Sequence, residues 1–284
     1  MNWKRFYMVL SAVAVTSFAS AQANLLNAKK VEEIGFKSEA QIASEDDKPL
    51  PYGFISDRDV LWSKVVWEYV DLNQKINLPY YYPIDTTNAG TTRRSLFDTL
   101  LKGIKNGEIK EVYSDSYFTT KIGMTEIQTM IYNERQNGDY VDPYYVKSED
   151  IKGYLIKGIW YFDKRQGELK YRMLALAPMG PDVQILGTEI EDDGEYPLFW
   201  VFFPDARETL HASKVFNPKN SAQPLSYDNL LNARRFTSTV KREENLYGDR
   251  AISDYVRGNS LFQLLEADRI KEGIRNREMD MWNY

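Results

Sequence analysis

The 284-residue chain contains one histidine, no cysteine and 41 carboxylates, and that inventory limits the chemistry it can perform. Without cysteine there is no thiol catalysis, no disulfide and no lipid-modified N-terminal Cys. A zinc site would have to take nearly all its ligands from carboxylates around His211, which is an unusual donor set. A Ser-His-Asp triad could use His211, but the sequence holds no G-x-S-x-G nucleophile elbow. Glu189, Glu191, Asp192, Asp193 and Glu195 gather around Gly194; oxygens so crowded could hold Ca²⁺, but their spacing misses the EF-hand pattern. A solvated hairpin tip is the plainer reading. Gly153 and Gly158 have P-loop spacing, yet Ile159-Trp160 follows where Lys-Ser/Thr is required, so no phosphate cradle is expected. A glycosidase pair is defined in space rather than in sequence, and 41 acids give no signal for one. No catalytic, cofactor-binding or metal-ligating residue is assigned.

Aromatic side chains offer a different function. They make up 14% of the chain and include 20 tyrosines. The densest stretch is SDRDVLWSKVVWEYVDLNQKINLPYYYP, residues 56–83. Ser56 and Asp59 resemble a capping box, and Leu61, Val65, Tyr69, Leu72 and Ile76 recur at helical spacing. The spacing predicts a core helix about 30 Å long, ended by Asn77 and Pro79. Lys64, Glu68, Asp71 and Lys75 form its polar wedge, and Trp67 falls nearly opposite the core stripe. Such a helix is either central in its domain or sandwiched between the domain and a partner. Tyr80-Tyr81-Tyr82, held between Pro79 and Pro83, would suit an interface, because tyrosine is both apolar and hydrogen bonding. The interface candidates are Trp62, Trp67, Tyr80, Tyr81, Tyr82 and Trp282.

Residues 1–21 read as an export signal: Lys4 and Arg5, then an apolar run from Phe6 to Val15, then Ala19-Ser20-Ala21. The apolar run is too short to span a bilayer, and no later run approaches the ~20 residues needed, so direct membrane insertion is not expected. Loss of Lys4 and Arg5 would leave 34 basic against 41 acidic residues, moving the net charge from −5 to −7. An acidic protein without a basic block lacks the footprint for nucleic acid or anionic lipid. Residues 22–50 are polar and end in Glu45-Asp46-Asp47-Lys48-Pro49; they read as a disordered leader or as an extended arm that orders on assembly.

The expected domain, 51–284, is α+β, with a largely antiparallel central sheet and packed helices. Loop is expected at 85–90, a helix over 96–104 stopped at Asn106-Gly107, a strand at 109–113 and a helix capped by Thr125. Turns are expected at Asn137-Gly138-Asp139 and Asp142-Pro143. Residues 151–178 form a hairpin turning at Lys164-Arg165-Gln166-Gly167. LFWVFF (198–203) is apolar on both faces and should be a covered central strand, with helices starting near Pro204 and Ser226. From Ser260, Leu261, Leu264 and Leu265 share one helix face and Ile270 and Ile274 another, implying a kink or two successive contacts. Trp282, close to the last residue, implies a docked tail.

The aromatic stretch, followed by RRSLFDTLLKGIKNGEIKEVYSDSYF (93–118), resembles the gliding-motility family GldN, called PorN in non-gliding bacteria. The likeness begins at NLLNAKK (24–30) and continues through IKGIWYFDKRQGELKYR (156–172), PLFWVFFPDAR (197–207) and RRFTSTVKREENLYGDRAISDY (234–255) to the C-terminal run. The resemblance implies a non-enzymatic structural subunit of the type IX secretion and gliding machinery, located in the periplasm. It further implies a self-associated ring built with an outer-membrane lipoprotein, GldK/PorK, and contact with the motor protein GldM/PorM. A periplasmic hydrolase or a small-ligand binding protein is the alternative.

Overall fold

In the computed structural model, the stretch read as a long helix is a strand. Residues 48–84, 93–137, 140–185, 194–215, 217 and 225–282 are described; the expected export signal and nearly all of the expected arm lie outside them, as do the expected loop at 85–90 and the acids at 189–193. β1 (Val60–Asp71) is twelve residues long and is preceded by a single 3-10 turn, Asp57–Asp59. Seven of its residues are valine, tryptophan or tyrosine, which pack best on a pleated surface. Residues four apart share a face in a strand as well as in a helix, so the stripe Leu61, Val65, Tyr69 fits both periods. The ends of the stripe decide between them: Leu61 and Ile76, both core residues in a helix, are about half exposed. Lys64 and Glu68 are not partners either; Lys64 pairs with Glu243 at 2.7 Å and Glu68 with Arg234.

After β1 come α1 (Leu78–Tyr81), α2 (Leu96–Lys105), β2 (Val112–Tyr113), α3 (Met124–Ile131), β3 (Tyr132–Asn137) and β4 (Tyr140–Tyr145). The long hairpin β5 (Gly153–Asp163) and β6 (Glu168–Gly180) follows, then β7 (Tyr196–Pro197), β8 (Trp200–Phe202) and α4 (Phe203–Ala212). The chain continues through β9 (Lys214–Val215), β10 (Leu225–Ser226), α5 (Tyr227–Asn232), β11 (Thr239–Glu243), α6 (Ile252–Tyr255) and α7 (Ser260–Trp282). The main sheet is antiparallel in the order β11-β1-β5-β6-β8-β2, with β7 beside β6. β9–β10 and β3–β4 form two small separate sheets. The fold is therefore α+β, as the residue pattern implies.

Alternation along β1 assigns the two faces. Val66 and Val70 point toward the helices, together with Tyr154, Ile156 and Leu176 from β5 and β6. Leu96, Phe97 and Leu100 of α2, Phe203 and Leu210 of α4, and Tyr227 and Leu231 of α5 complete the main core there. Ala267, Ile270 and Ile274 of α7 close a neighbouring core over Val66 and Val240. On the opposite face Trp67, Ala175, Ala177 and Trp200 pack with Phe118 and Leu155. β8 has both sides covered, with Val201 in one core and Trp200 in the other.

Local signals account for the remaining elements. Ser95 Oγ accepts from Asp98 N to cap α2, and Gly107 follows that helix at φ +72°. Gly167 takes φ +67° in the β5–β6 turn, where Gly167 N donates to Asp163 O at 2.7 Å. The strand expected at 109–113 shrinks to two residues because Asp205, in the first turn of α4, accepts from Lys110 N (2.7 Å) and Glu111 N (2.9 Å). α3 is capped by Gly123, whose N–H donates to the Glu126 carboxylate, rather than by Thr125. Asp142-Pro143 is not a turn but lies inside β4, where Pro143 faces Glu134 across the ladder. A two-stranded sheet has only edges, and proline, which cannot donate, is tolerated there. Gly138 and Asp139 of the turn expected between β3 and β4 lie outside the described residues. α7 runs as one helix of 23 residues, roughly 35 Å, whose first turns do not contribute to the core.

Candidate interaction surface

The six interface candidates separate by burial. Trp67 is 3% exposed and Tyr80 1%, so both are enclosed by this chain and offer no surface to a partner. Tyr80 packs against Tyr227 and Phe236 and donates to Arg235 O at 3.3 Å. Trp62 is half buried against the Val66 core. Tyr81 is also half buried; it donates to Glu149 O (3.2 Å) and meets Tyr82 edge-on at 4.9 Å. Tyr82 is 53% exposed. Trp282 ends α7, and its side chain lies outside the described residues.

Trp67 forms part of an aromatic enclosure around Lys157, its direct neighbour on β5. The Lys157 ammonium is 4.9 Å from the Trp67 ring, 4.8 Å from Tyr117 and 5.4 Å from Phe118, and it donates to Ser116 O at 2.8 Å. Burial pushes the Lys157 pKa down, while Asp249, Asp115 and Glu244 oppose the shift. The loop over it is organised by Asp115, whose carboxylate accepts from Thr119 Oγ1 (2.5 Å) and from Tyr117, Thr119 and Thr120 N–H groups. No local spacing signals this arrangement, because Trp67 and Lys157 are brought together only by strand register.

A second buried charge lies on the helix-covered face. Glu68, 2% exposed, accepts from Arg234 Nη2 at 2.7 Å and from Ser238 Oγ at 2.6 Å. The Arg234 guanidinium stacks against Tyr171 (4.0 Å), Trp160 (5.0 Å) and Phe236 (5.2 Å). Tyr171 lies over Gly158, where any side chain would collide with the phenol. Gly153 makes the same room for Tyr69. The two glycines with P-loop spacing therefore serve aromatic packing across a ladder.

The other candidates for chemistry also have structural roles. His211 is buried on α4 with Nδ1 3.5 Å from Ser226 Oγ, and that hydroxyl accepts from Asn229 N (3.2 Å) to cap α5. Glu195 accepts from the Tyr69 hydroxyl. Among the described residues, no three His, Cys, Asp or Glu side chains gather closely enough to hold a metal ion. Among the same residues, no helix is long and apolar enough to cross a membrane.

Among the described residues, a run of exposed apolar side chains lies on α7. Leu261, Phe262, Leu264 and Leu265 are 46–62% exposed, on the side of the helix away from buried Ala267, Ile270 and Ile274. Tyr255, Val256 and Arg257 border the patch at its start. Arg250 then stacks between Tyr255 (4.8 Å) and Tyr247 (4.3 Å), extending the surface to Leu246, which is fully exposed. The two leucine and isoleucine stripes visible in the sequence thus lie on two faces of one continuous helix, and the second meets the body. The first stripe holds neither tryptophan nor tyrosine, so aromatic density does not mark it.

Residues 55–283 match the model of the family described as gliding motility associated protein GldN. The chain belongs to the GldN family. Membership makes it a component of the gliding-motility and type IX secretion machinery of the cell envelope, and the GldN family is not a known enzyme family. A comparison with individually curated proteins returns no match.

Proposed function

We propose that this GldN-family chain is a non-enzymatic structural subunit of the secretion machinery, exported by residues 1–21 and working in the periplasm. In this reading it builds a ring with a GldK/PorK-type outer-membrane lipoprotein and touches the periplasmic part of a GldM/PorM-type motor protein. Residues 22–50 act as an arm, and 51–284 as the body. The supporting observation is the α7 face. Four large apolar side chains stand side by side in water, and fully burying each would contribute roughly 1.5–3 kcal/mol. Contiguous surface of that kind marks association sites. We assign this face to the lipoprotein. Ring closure needs a second, different patch on each subunit; Tyr140, Val141 and Tyr145 on β3–β4, all more than half exposed, supply one.

The test is co-purification of tagged chain with the lipoprotein from envelopes. Leu261→Asp with Leu265→Asp is expected to abolish recovery while leaving the thermal transition within ~2 °C, because neither residue contributes to the core. Undiminished recovery of the lipoprotein with that variant would refute the assignment.

A further inference from the structure

The first residues of the body cross its surface as an extended strap. Residues 49–55 form no helix or strand, and among the described residues no backbone-to-backbone hydrogen bond ties them down. Leu50 is 76% exposed and Phe54 89%. A Cβ added at Gly53 would meet open space. Between Leu50 and Phe54, Tyr52 is the one residue that is half buried.

Side chains of the body hold this strap. The Tyr52 ring meets two guanidiniums, Arg207 of α4 at 4.3 Å and Arg172 of β6 at 4.7 Å. Its hydroxyl donates to Asn232 Oδ1 at 2.9 Å. The same two arginines take carbonyls on either side of it: Arg207 Nη2 donates to Leu50 O at 2.6 Å, and Arg172 Nη2 to Gly53 O at 3.0 Å. Burial pushes the Tyr52 pKa up to about 12, with both cations opposing.

The receiving half is built by bonds that do not involve the strap. Asp228 is buried on α5 and accepts from Arg207 Nε (2.7 Å), Arg207 Nη2 (3.1 Å) and Asn232 Nδ2 (2.7 Å). The forked pair fixes the guanidinium. The Asn232 amide, with its donor on Asp228, turns Oδ1 to the phenol. A cavity of about 600 Å³ lies beside the strap, where Leu225, Leu230 and Ala233 add apolar wall to these polar groups. One aromatic anchor in a pocket, with flanking carbonyls held by side chains, is the form of a bound peptide.

We propose that Arg172, Arg207 and Asn232 form a peptide-binding groove for a Leu-Pro-Tyr-Gly segment, and that between assembled copies the groove takes residues 50–53 of the neighbouring chain. Every copy carries both halves, so exchange replaces each contact by an identical one and forfeits only the advantage of the tether. The hinge is Gly53–Ile55, ~10 Å when extended. Beyond it the chain is fixed, where Asp59 N donates to Ser56 O (2.8 Å) and Lys164 N to Asp59 O (2.8 Å). A solitary chain fills its own groove, because a short tether supplies an effective concentration of order mM. Neighbours held side by side remove that preference. Those neighbours are the ones in the assembly proposed above, but the groove shares no residue with the Leu261–Leu265 face or with β3–β4. Peptide binding by the separate chain therefore tests the groove independently of the assembly.

The test uses full chains. Tyr52→Ala empties the groove and leaves its walls intact. Calorimetric titration of that variant with acetyl-Leu-Pro-Tyr-Gly-amide is expected to show one site of about 0.1–1 mM. The wild-type chain binds the peptide at least tenfold more weakly, because its own strap competes. A peptide with Ala in place of Tyr loses at least tenfold, and one with Phe a few-fold, for the missing bond to Asn232. Bound peptide also raises the thermal transition of Tyr52→Ala, a readout that survives a destabilised variant. Exchange is read by mixing Tyr52→Ala with Arg172→Glu, which loosens its own strap and keeps its sequence. At ~0.3 mM each, the mixture sediments with a higher mean mass than either variant alone. No peptide binding at ~5 mM, equal affinity of wild type and Tyr52→Ala, or a mixture that sediments as its separate components would overturn the proposal.

Discussion

Glu68 and Arg234 provide the most direct test of the physical account. Glu68 lies mid-strand between β11 and β5 and is 2% exposed. A carboxylate at that depth costs several kcal/mol unless it is paired. Two short bonds offset the cost, from Arg234 Nη2 (2.7 Å) and Ser238 Oγ (2.6 Å). The Arg234 side chain is 24% exposed, so the pair falls short of the fully buried limit. Glu68→Leu strands the guanidinium among three rings and is expected to cost about 3 kcal/mol; Arg234→Met leaves the deeper charge unpaired and is expected to cost about 4. The double variant removes both charges, and its loss is expected to be about 1–2 kcal/mol, because a buried pair often roughly breaks even against apolar replacements. The coupling energy in the double-mutant cycle is then about 5 kcal/mol, above the usual range for residues in contact, because each single change leaves a buried charge. Urea unfolding followed by tryptophan fluorescence reads all four stabilities, and each single variant should lower Tm by roughly 6–16 °C in a body of this size. Additive losses, or a neutral Glu68→Leu, would show that the pair carries no such weight.

Two further outcomes follow from the same packing. Gly158→Ala drives a methyl into the Tyr171 phenol, which is itself held against Trp160 and Arg234; a loss of ~1–3 kcal/mol is expected in the same urea assay, and a neutral result would mean the ring moves freely. Burial raises the pKa of Tyr80, Tyr154, Tyr171 and Tyr227 above the ordinary 10.0. Their folded values are the higher ones, so the stability they contribute is intact below pH 10 and is lost as pH rises beyond it. Absorbance at 295 nm should therefore show these four phenols ionising only together with loss of the far-UV signal, and a smooth titration of all tyrosines in folded protein would contradict their burial.

Much of the fold is legible in residue order, and the exceptions have definite causes. The β5–β6 hairpin, α2, α4 and α5 follow from alternation, turn glycine and caps, all of them local. The β1 stretch reads as a helix because Leu61, Val65 and Tyr69 lie four apart, a spacing that strand and helix share, and only its β-branched and aromatic content separates the two. The Glu68–Arg234 pair spans 166 positions and the Lys157–Ser116 bond 41. Each joins a strand residue to a loop residue that the tertiary fold brings against it, and no spacing rule reaches that far. The α7 stripes were visible, but which of them the body would cover depends on where β11 and α6 leave room.

The location of the uncovered surface also explains why aromatic density is a poor guide to an interface in this chain. Trp67, Tyr80, Tyr154 and Tyr227 are all buried, because large rings remove the most area from water and a core recruits them first. An exposed tyrosine still hydrates its hydroxyl, so Tyr82 or Tyr140 at the surface carries little penalty. Leucine has no polar atom in its side chain to hydrate. Leu261, Leu264 and Leu265 beside Phe262 thus bear an exposure cost that nothing in the described chain relieves. They sit on a helix whose next turns show that the sequence can place Ala267, Ile270 and Ile274 inward when burial is available. Aliphatic residues left out on an otherwise well-packed helix are therefore the stronger sign of a partner, and replacing them should disturb assembly before it disturbs folding.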